Sequence, residues 1–356
     1  METPKKRRIK IGILIAGIVI VLLGSAGWGC SRTLVNEDAD LVMEGPVRQS
    51  WVQRYKGDYS GEGDYSGARC VVVADDGSVY VAGKDATEGT GNYSYGSDYV
   101  TIKYDTKGHK VWSARYDGAN DDEATAIALD QSGNVYVTGT SGDDCLTIKY
   151  DASGGQQWTA RQDGASPVAI VLDSSGNPHI AAASGGNYLT IKYDSSGSQM
   201  WIARYDGKAG SDEPKDIAID DAGNVYVTGK SKGTKSDQDT DYATIKYDSS
   251  GIEQWVQRYN GPANHVDTAN EVAVDKSGNV YVSGYLIGMG ESNDSGYATV
   301  KYDKTGNQKW ITLYEEGEGG IAGMAIDDDG NIYVVGSGEW AYDCLLYTSD
   351  AADEFR

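Results

Sequence analysis

The 356-residue chain carries 31 Lys and Arg against 53 Asp and Glu, a net charge of −22. That balance excludes a nucleic-acid partner, which needs a basic patch. With 47 Gly, 26 Tyr, 6 Pro and a single Phe, and no helix-length apolar periodicity beyond residue 30, the composition leaves one large all-β domain behind an N-terminal segment.

Residues 5–10, KKRRIK, precede the apolar run 11–23, IGILIAGIVIVLL. A charged stretch followed by an apolar core of this length reads as a signal peptide, and the uncharged run to Gly29 is also long enough for an uncleaved anchor. Gly29-Cys30 partly resembles a bacterial lipobox, although Gly27 and Trp28 depart from it. Residues 1–30 are thus expected to be a signal peptide or membrane anchor, with acylation at Cys30, cleavage near residues 25–27 and retention as the three alternatives. All three place the remainder outside the cytoplasm, in the cell envelope or at the surface. Residues 31–49 read as a polar tether.

The propeller is expected over residues 50–343. Five copies of one phrase organise it: TIKYDTKGHKVW at 101–112, TIKYDASGGQQW at 147–158, TIKYDSSGSQMW at 190–201, TIKYDSSGIEQW at 244–255 and TVKYDKTGNQKW at 299–310. Each alternates as a half-buried strand does, makes a turn on an Asp (Asp105, Asp151, Asp194, Asp248, Asp303), and opens a second strand at a Trp. A D-x-x-G-N hairpin precedes four of the copies, as in ATAIALDQSGNVYVTG at 124–139, and the hairpin before the first copy reads Ala74-Asp75-Asp76-Gly77 instead. One unit is therefore four short antiparallel strands. Trp51, Trp112, Trp158, Trp201, Trp255 and Trp310 are spaced by 61, 46, 43, 54 and 55 residues, the period of β-propeller blades. Six blades are visible, the last truncated. The orphan strand WVQRY at 51–55 is the piece a ring needs for closure. Blade three is worn, with Asn177-Pro178-His179-Ile180 where the others have NVYV.

The phrase TIKYD is due after Asp343, but the chain reads CLLYTSDAADE. Residues 344–356 resemble a translated sequencing-library adapter. They are expected to be a non-native tail, leaving blade six without its third strand.

D-x-x-G-N-V-Y-V-T-G, T-I-K-Y-D-x-x-G and W-x-x-R-Y-x-G together resemble the bacterial beta-propeller repeat family SBBP, over residues 50–343. The resemblance implies an extracytoplasmic or surface protein and no defined catalysis. A weaker similarity to quinoprotein blades implies that each Trp docks between blades.

In a four-stranded meander the turns 1–2 and 3–4 share one rim, and the connections 2–3 and 4–1 share the other. The 3–4 turn never varies. From the turn glycines Gly77, Gly133, Gly176, Gly223 and Gly278 to the next phrase-opening Thr the distance is 24, 14, 14, 21 and 21 residues. Long insertions at 84–98, 230–241 and 285–296 therefore mark one elaborated rim as the binding face. Its acidic connections read either as a solvated surface or as Ca²⁺ ligands, with Asp121, Asp122 and Glu123 the best local cluster. His109, His179 and His265 have no repeat partners, and no catalytic motif or cofactor fingerprint is present. Arg54, Arg115, Arg161, Arg204 and Arg258 recur in fourth strands, where pairing with a repeated Asp or stacking on Tyr is expected. Cys70 and Cys145 sit in different blades and are expected to be unpaired.

The sequence thus leads to an exported, membrane-tethered or secreted all-β propeller that acts as a non-catalytic module, binding a protein or glycan at the cell surface. A carbohydrate-active hydrolase or lyase using loop carboxylates, and a structural spacer for a further domain, are the alternatives.

Overall fold

The computed structural model describes residues 51–53, 66–87, 96–118, 121–207, 210–232, 239–263, 265–289, 294–314, 321–327, 330–337 and 344–348. Cys30, the signal or anchor segment and the tether lie outside them. Among the described residues no helix is long and apolar enough to cross a membrane.

Among the described residues twenty-three strands fall into five four-stranded antiparallel sheets and one of three strands. Every sheet is a simple meander in chain order. The blades span residues 67–116, 122–162, 166–205, 213–259, 267–314 and 321–348. First strands of successive blades touch one another all along the series. The chain is an all-β propeller.

The core lies between blades. Second and third strands are buried on both faces, as in Val135–Ser141 and Asp144–Tyr150 of blade two, because each blade is covered by its two neighbours. Fourth strands alternate exposed and half-buried residues, as in Gln199–Tyr205.

Four phrase tryptophans leave their own blade and grip the next. Trp112, Trp158, Trp201 and Trp255 donate their indole N–H to the carbonyls of Ala152, Ser195, Ser249 and Lys304, at 3.0–3.4 Å. The acceptor is always the residue after the turn Asp. The rings lie on Gly154, Gly197, Gly251 and Gly306, where an added Cβ would come within 2.7–3.0 Å of the indole. These glycines also hold φ near +85°, so their lack of a side chain meets both requirements. Trp51 makes the same contact, with Thr106 O at 3.2 Å and over Gly108. It therefore serves blade one as the other tryptophans serve blades two to five.

The sixth blade differs from expectation. Cys344–Thr348 is an extended strand paired with Ile332–Ser337, in the place of a third strand. Cys344 and Leu345 lie opposite Ser337 and Gly336, as Cys145 and Leu146 lie opposite Thr140 and Gly139. The open edge of a buried second strand presents unpaired N–H and C=O groups, and backbone pairing accepts any β-prone segment in reach.

Candidate functional site

The two rims have different chemistry. On the uniform rim each phrase Asp closes its own turn. Asp151 Oδ1 takes the N–H of Ser153 and Gly155, and Asp105, Asp194, Asp248 and Asp303 repeat the pattern. The hydroxyls of Ser153 and Ser196 first, then the turn N–H groups, hold Asp151 and Asp194 below the usual carboxylate range. These carboxylates are consumed locally.

On the elaborated rim the carboxylates converge instead. Oxygens of Asp98, Asp117 and Asp122 lie within 4.8 Å of one another. Asp98 opens the third strand of blade one, Asp117 follows its fourth strand, and Asp122 opens blade two. Arg115 donates from Nε to Asp98 at 2.5 Å and from Nη1 to Asp85 at 2.8 Å. Asp122 Oδ2 accepts the Gly118 N–H at 2.6 Å.

Of the residues expected to cluster, only Asp122 is part of this group. Asp121 is exposed and its carbonyl caps Gly142 N. Glu123 points away, to Arg69 and to Lys84 Nζ at 3.1 Å. Neighbouring strand residues face opposite sides, so three consecutive acids cannot converge. Three of the recurring arginines find carboxylates near the start of third strands: Arg115 pairs with Asp98, Arg161 with Asp144 at 3.0 Å and Arg258 with Asp241 at 2.9 Å.

Sequence reasoning missed a second pair. Asp216 and Glu271 occupy the same register position of adjacent first strands, where other blades have Cys70, Ala126, Ala169 and Gly323. Asp216 Oδ2 crosses to accept Val272 N–H at 2.8 Å. Burial raises Asp216 to about 6, and burial together with the Asp216 charge raises Glu271 to about 8. Both carboxyls bind protons more tightly folded than unfolded, so stability falls as pH rises from about 4 to 8. Denaturant melts across that window should show a loss of about 2 kcal/mol, discounted for coupling and screening, and Glu271→Gln should make the loss measurably smaller. A flat wild-type profile would refute the assignment.

Other titratable residues are structural. His179 is fully buried against Trp201, 5.7 Å between ring centres, and burial lowers it to about 4. It replaces the tyrosine that elsewhere carries a lysine over its ring, as Lys149 does over Tyr136 at 4.9 Å, and Lys192 pairs with Asp173 instead. Cys70 and Cys145 are free thiols raised by burial to about 12 and about 11.

Solved structures with similar folds include a protein from Lactobacillus plantarum, 14% identical with TM-score 0.49, covering 76% of this chain and 80% of that one. The Dos1 propeller is 12% identical with TM-score 0.47, covering 79% and 76%. The regulatory protein FlaEY of Caulobacter vibrioides is 36% identical over 90 residues, 23% of this chain and 9% of that protein. The family model for the SBBP beta-propeller repeat matches residues 111–144, 201–234 and 254–285. Each match runs from a gripping tryptophan through the next blade's first hairpin, so the family unit straddles a blade junction. Those three segments of the chain are SBBP beta-propeller repeats.

Proposed function

We propose that this propeller acts outside the cytoplasm as a non-catalytic binding or scaffolding module, and that its elaborated rim contacts a protein or glycan of the cell envelope. The observation that carries this reading is that departures from the minimal blade fall on one rim. Second and third strands are seven residues each in blades two and three, but nine and nine in blade one and ten and nine in blade five. The extra residues lengthen hairpins away from the uniform turns, as expected where a rigid scaffold displays variable contacts. The lysine-rich apolar N-terminus supports export, and cell fractionation checks it.

Replacing the blade-one and blade-five hairpin tips with the short Ser141-Gly142-Asp143 turn of blade two should leave the melting temperature within a few degrees. It should abolish binding to envelope polysaccharide or surface protein fractions. Retained binding would sink the reading.

A second reading, a polysaccharide hydrolase, is favoured by the Asp216–Glu271 pair, since two carboxyls of split acidity are what acid–base hydrolysis uses. Release of new reducing ends from a bound polysaccharide, lost in Glu271→Gln, would establish it over the first.

A further inference from the structure

We propose that the junction between blades one and two and the junction between blades four and five each bind a Ca²⁺ ion through carboxylates at the roots of the long hairpins. The inference is independent of what those hairpins contact.

At the first junction the converging oxygens of Asp98, Asp117 and Asp122 come from three separate strand ends. Asp122 is wholly buried, and its Oδ1 has no hydrogen-bond partner while its Oδ2 takes Gly118 N–H. A buried anionic oxygen without a donor is costly unless a cation meets it. Arg115 donates to Asp98 and Asp85, and Asp117 and Asp122 bring two further carboxylates within 4.8 Å of Asp98.

The blade four–five junction repeats the register of these positions and keeps an acid at two of them, Asp241 and Asp267. Asp241 stands where Asp98 does, opposite Ser231 as Asp98 is opposite Asp85. Asp267 stands where Asp122 does, Asn260 follows Tyr259 as Asp117 follows Tyr116, and Arg258 takes the place of Arg115. Asp267 is wholly buried, its Oδ2 accepts Gly261 N–H at 2.5 Å, and its Oδ1 makes no hydrogen bond of good geometry, with the Ile287 N–H the other backbone donor acting on this carboxyl. Thr240 bridges to Val266, and its hydroxyl donates to the Asp267 carbonyl at 3.0 Å. This brings Asp239 alongside. Asp239 is 1% exposed, and neither of its carboxylate oxygens has a hydrogen-bond partner.

Two other junctions act as internal controls. Between blades three and four, Asn187 replaces the Asp98 equivalent, and Asp212 has both oxygens satisfied, by Gly207 N at 2.7 Å and Lys232 N at 3.2 Å. Between blades two and three, Ala165 takes the Asp122 position, and Asp144 is satisfied by Arg161 and Gly164 N. Buried carboxylate oxygens without donors thus occur at the two junctions that keep an acid at both the Asp98 and the Asp122 position. These are also junctions whose preceding blades carry long insertions.

The donors are all oxygens, with no thiol or imidazole, which selects a hard cation. A set drawn from several strand ends suits the variable geometry of Ca²⁺ better than the strict octahedron of Mg²⁺.

The test is calorimetric titration of the full chain in detergent, stripped of metal, with CaCl₂ and separately with MgCl₂. Two Ca²⁺ per chain are expected, with weaker Mg²⁺ binding and a melting temperature raised by several degrees. Asp122→Asn should lose one ion and Asp267→Asn the other, while Asp212→Asn keeps both. Circular dichroism confirms that each variant is folded. If a variant misfolds, the wild-type chain still decides through Tb³⁺ emission sensitised by Tyr116 and Tyr259 and quenched by Ca²⁺. No uptake and no thermal shift at millimolar Ca²⁺ would overturn the proposal, as would two ions retained in both variants. One ion lost only in Asp122→Asn would keep the first site and overturn the second.

Discussion

Trp201→Ala is expected to destabilise the protein by about 3 kcal/mol, towards the lower end for a buried tryptophan because this ring is half-buried. The ring lies on Gly251, contacts His179 and Tyr247 at centroid distances of 5.7 and 6.4 Å, and donates to Ser249 O at 3.1 Å. Its truncation opens a gap between blades three and four. Trp201→Phe keeps most of the ring contact but not the N–H, and should cost about 1 kcal/mol more than its lost area alone. Because each blade is held by its neighbours, the Ala variant should also broaden the denaturant transition as the two sides of the junction lose cooperativity. An unchanged midpoint would show that the tryptophan contact contributes nothing.

The second large effect concerns glycines that end the second-strand phrase. An added Cβ at Gly229 would lie 2.1 Å from Glu213 O and 2.7 Å from the Tyr188 hydroxyl of the preceding blade. Gly139 repeats this with Glu123 O at 2.1 Å and Tyr99 Oη at 2.6 Å. The approach is close because a bulge in each first strand, between Pro214 and Asp216 or between Ala124 and Ala126, pushes a carbonyl towards the glycine. Gly229→Ala should therefore cost about 3 kcal/mol, an overpacking penalty.

Blade three has already made this change. Its glycine position is Ala182, and the third-strand position of the preceding blade, Tyr elsewhere, is Cys145; the two share one buried cluster. The small thiol leaves room that the tyrosine does not. Cys145→Tyr alone should be strongly destabilising, Ala182→Gly mildly so, and the double variant more stable than their sum by about 1–2 kcal/mol. Strict additivity would reject the pairing.

The repeat architecture was legible because its signals are local. An Asp-led turn, a Gly with positive φ and alternating strands fix one meander, and a constant Asp-to-Trp spacing fixes where the indole meets the next blade. The tryptophan docking was implied by the resemblance to quinoprotein blades, and the free cysteines by their places in different blades. What stayed hidden depends on residues distant in sequence. Asp98, Asp117 and Asp122 meet only because a junction gathers ends of three strands, whereas adjacency in sequence favoured Asp121 and Glu123, which face elsewhere. Asp216 and Glu271 look unrelated until the bulges bring them into one register. Cys145 was recognisable as a substituted tyrosine, but its partner Ala182 lies across a blade boundary. The third strand of blade six was hidden for the opposite reason: pairing of its backbone places few demands on side chains.

The uniform tryptophan contact has a consequence for how such a gene changes. Every repeat carries its own plug and its own socket, so unequal recombination between copies can add or delete a blade and still leave matched surfaces at the seam. The Cys145–Ala182 junction breaks that interchangeability. A crossover that brings a tyrosine-bearing blade against Ala182 inherits a steric conflict, while one that brings Cys145 against a glycine inherits a void. One mismatched pair thus gives otherwise equivalent blades a fixed order, and recombinants that separate it should be selected against.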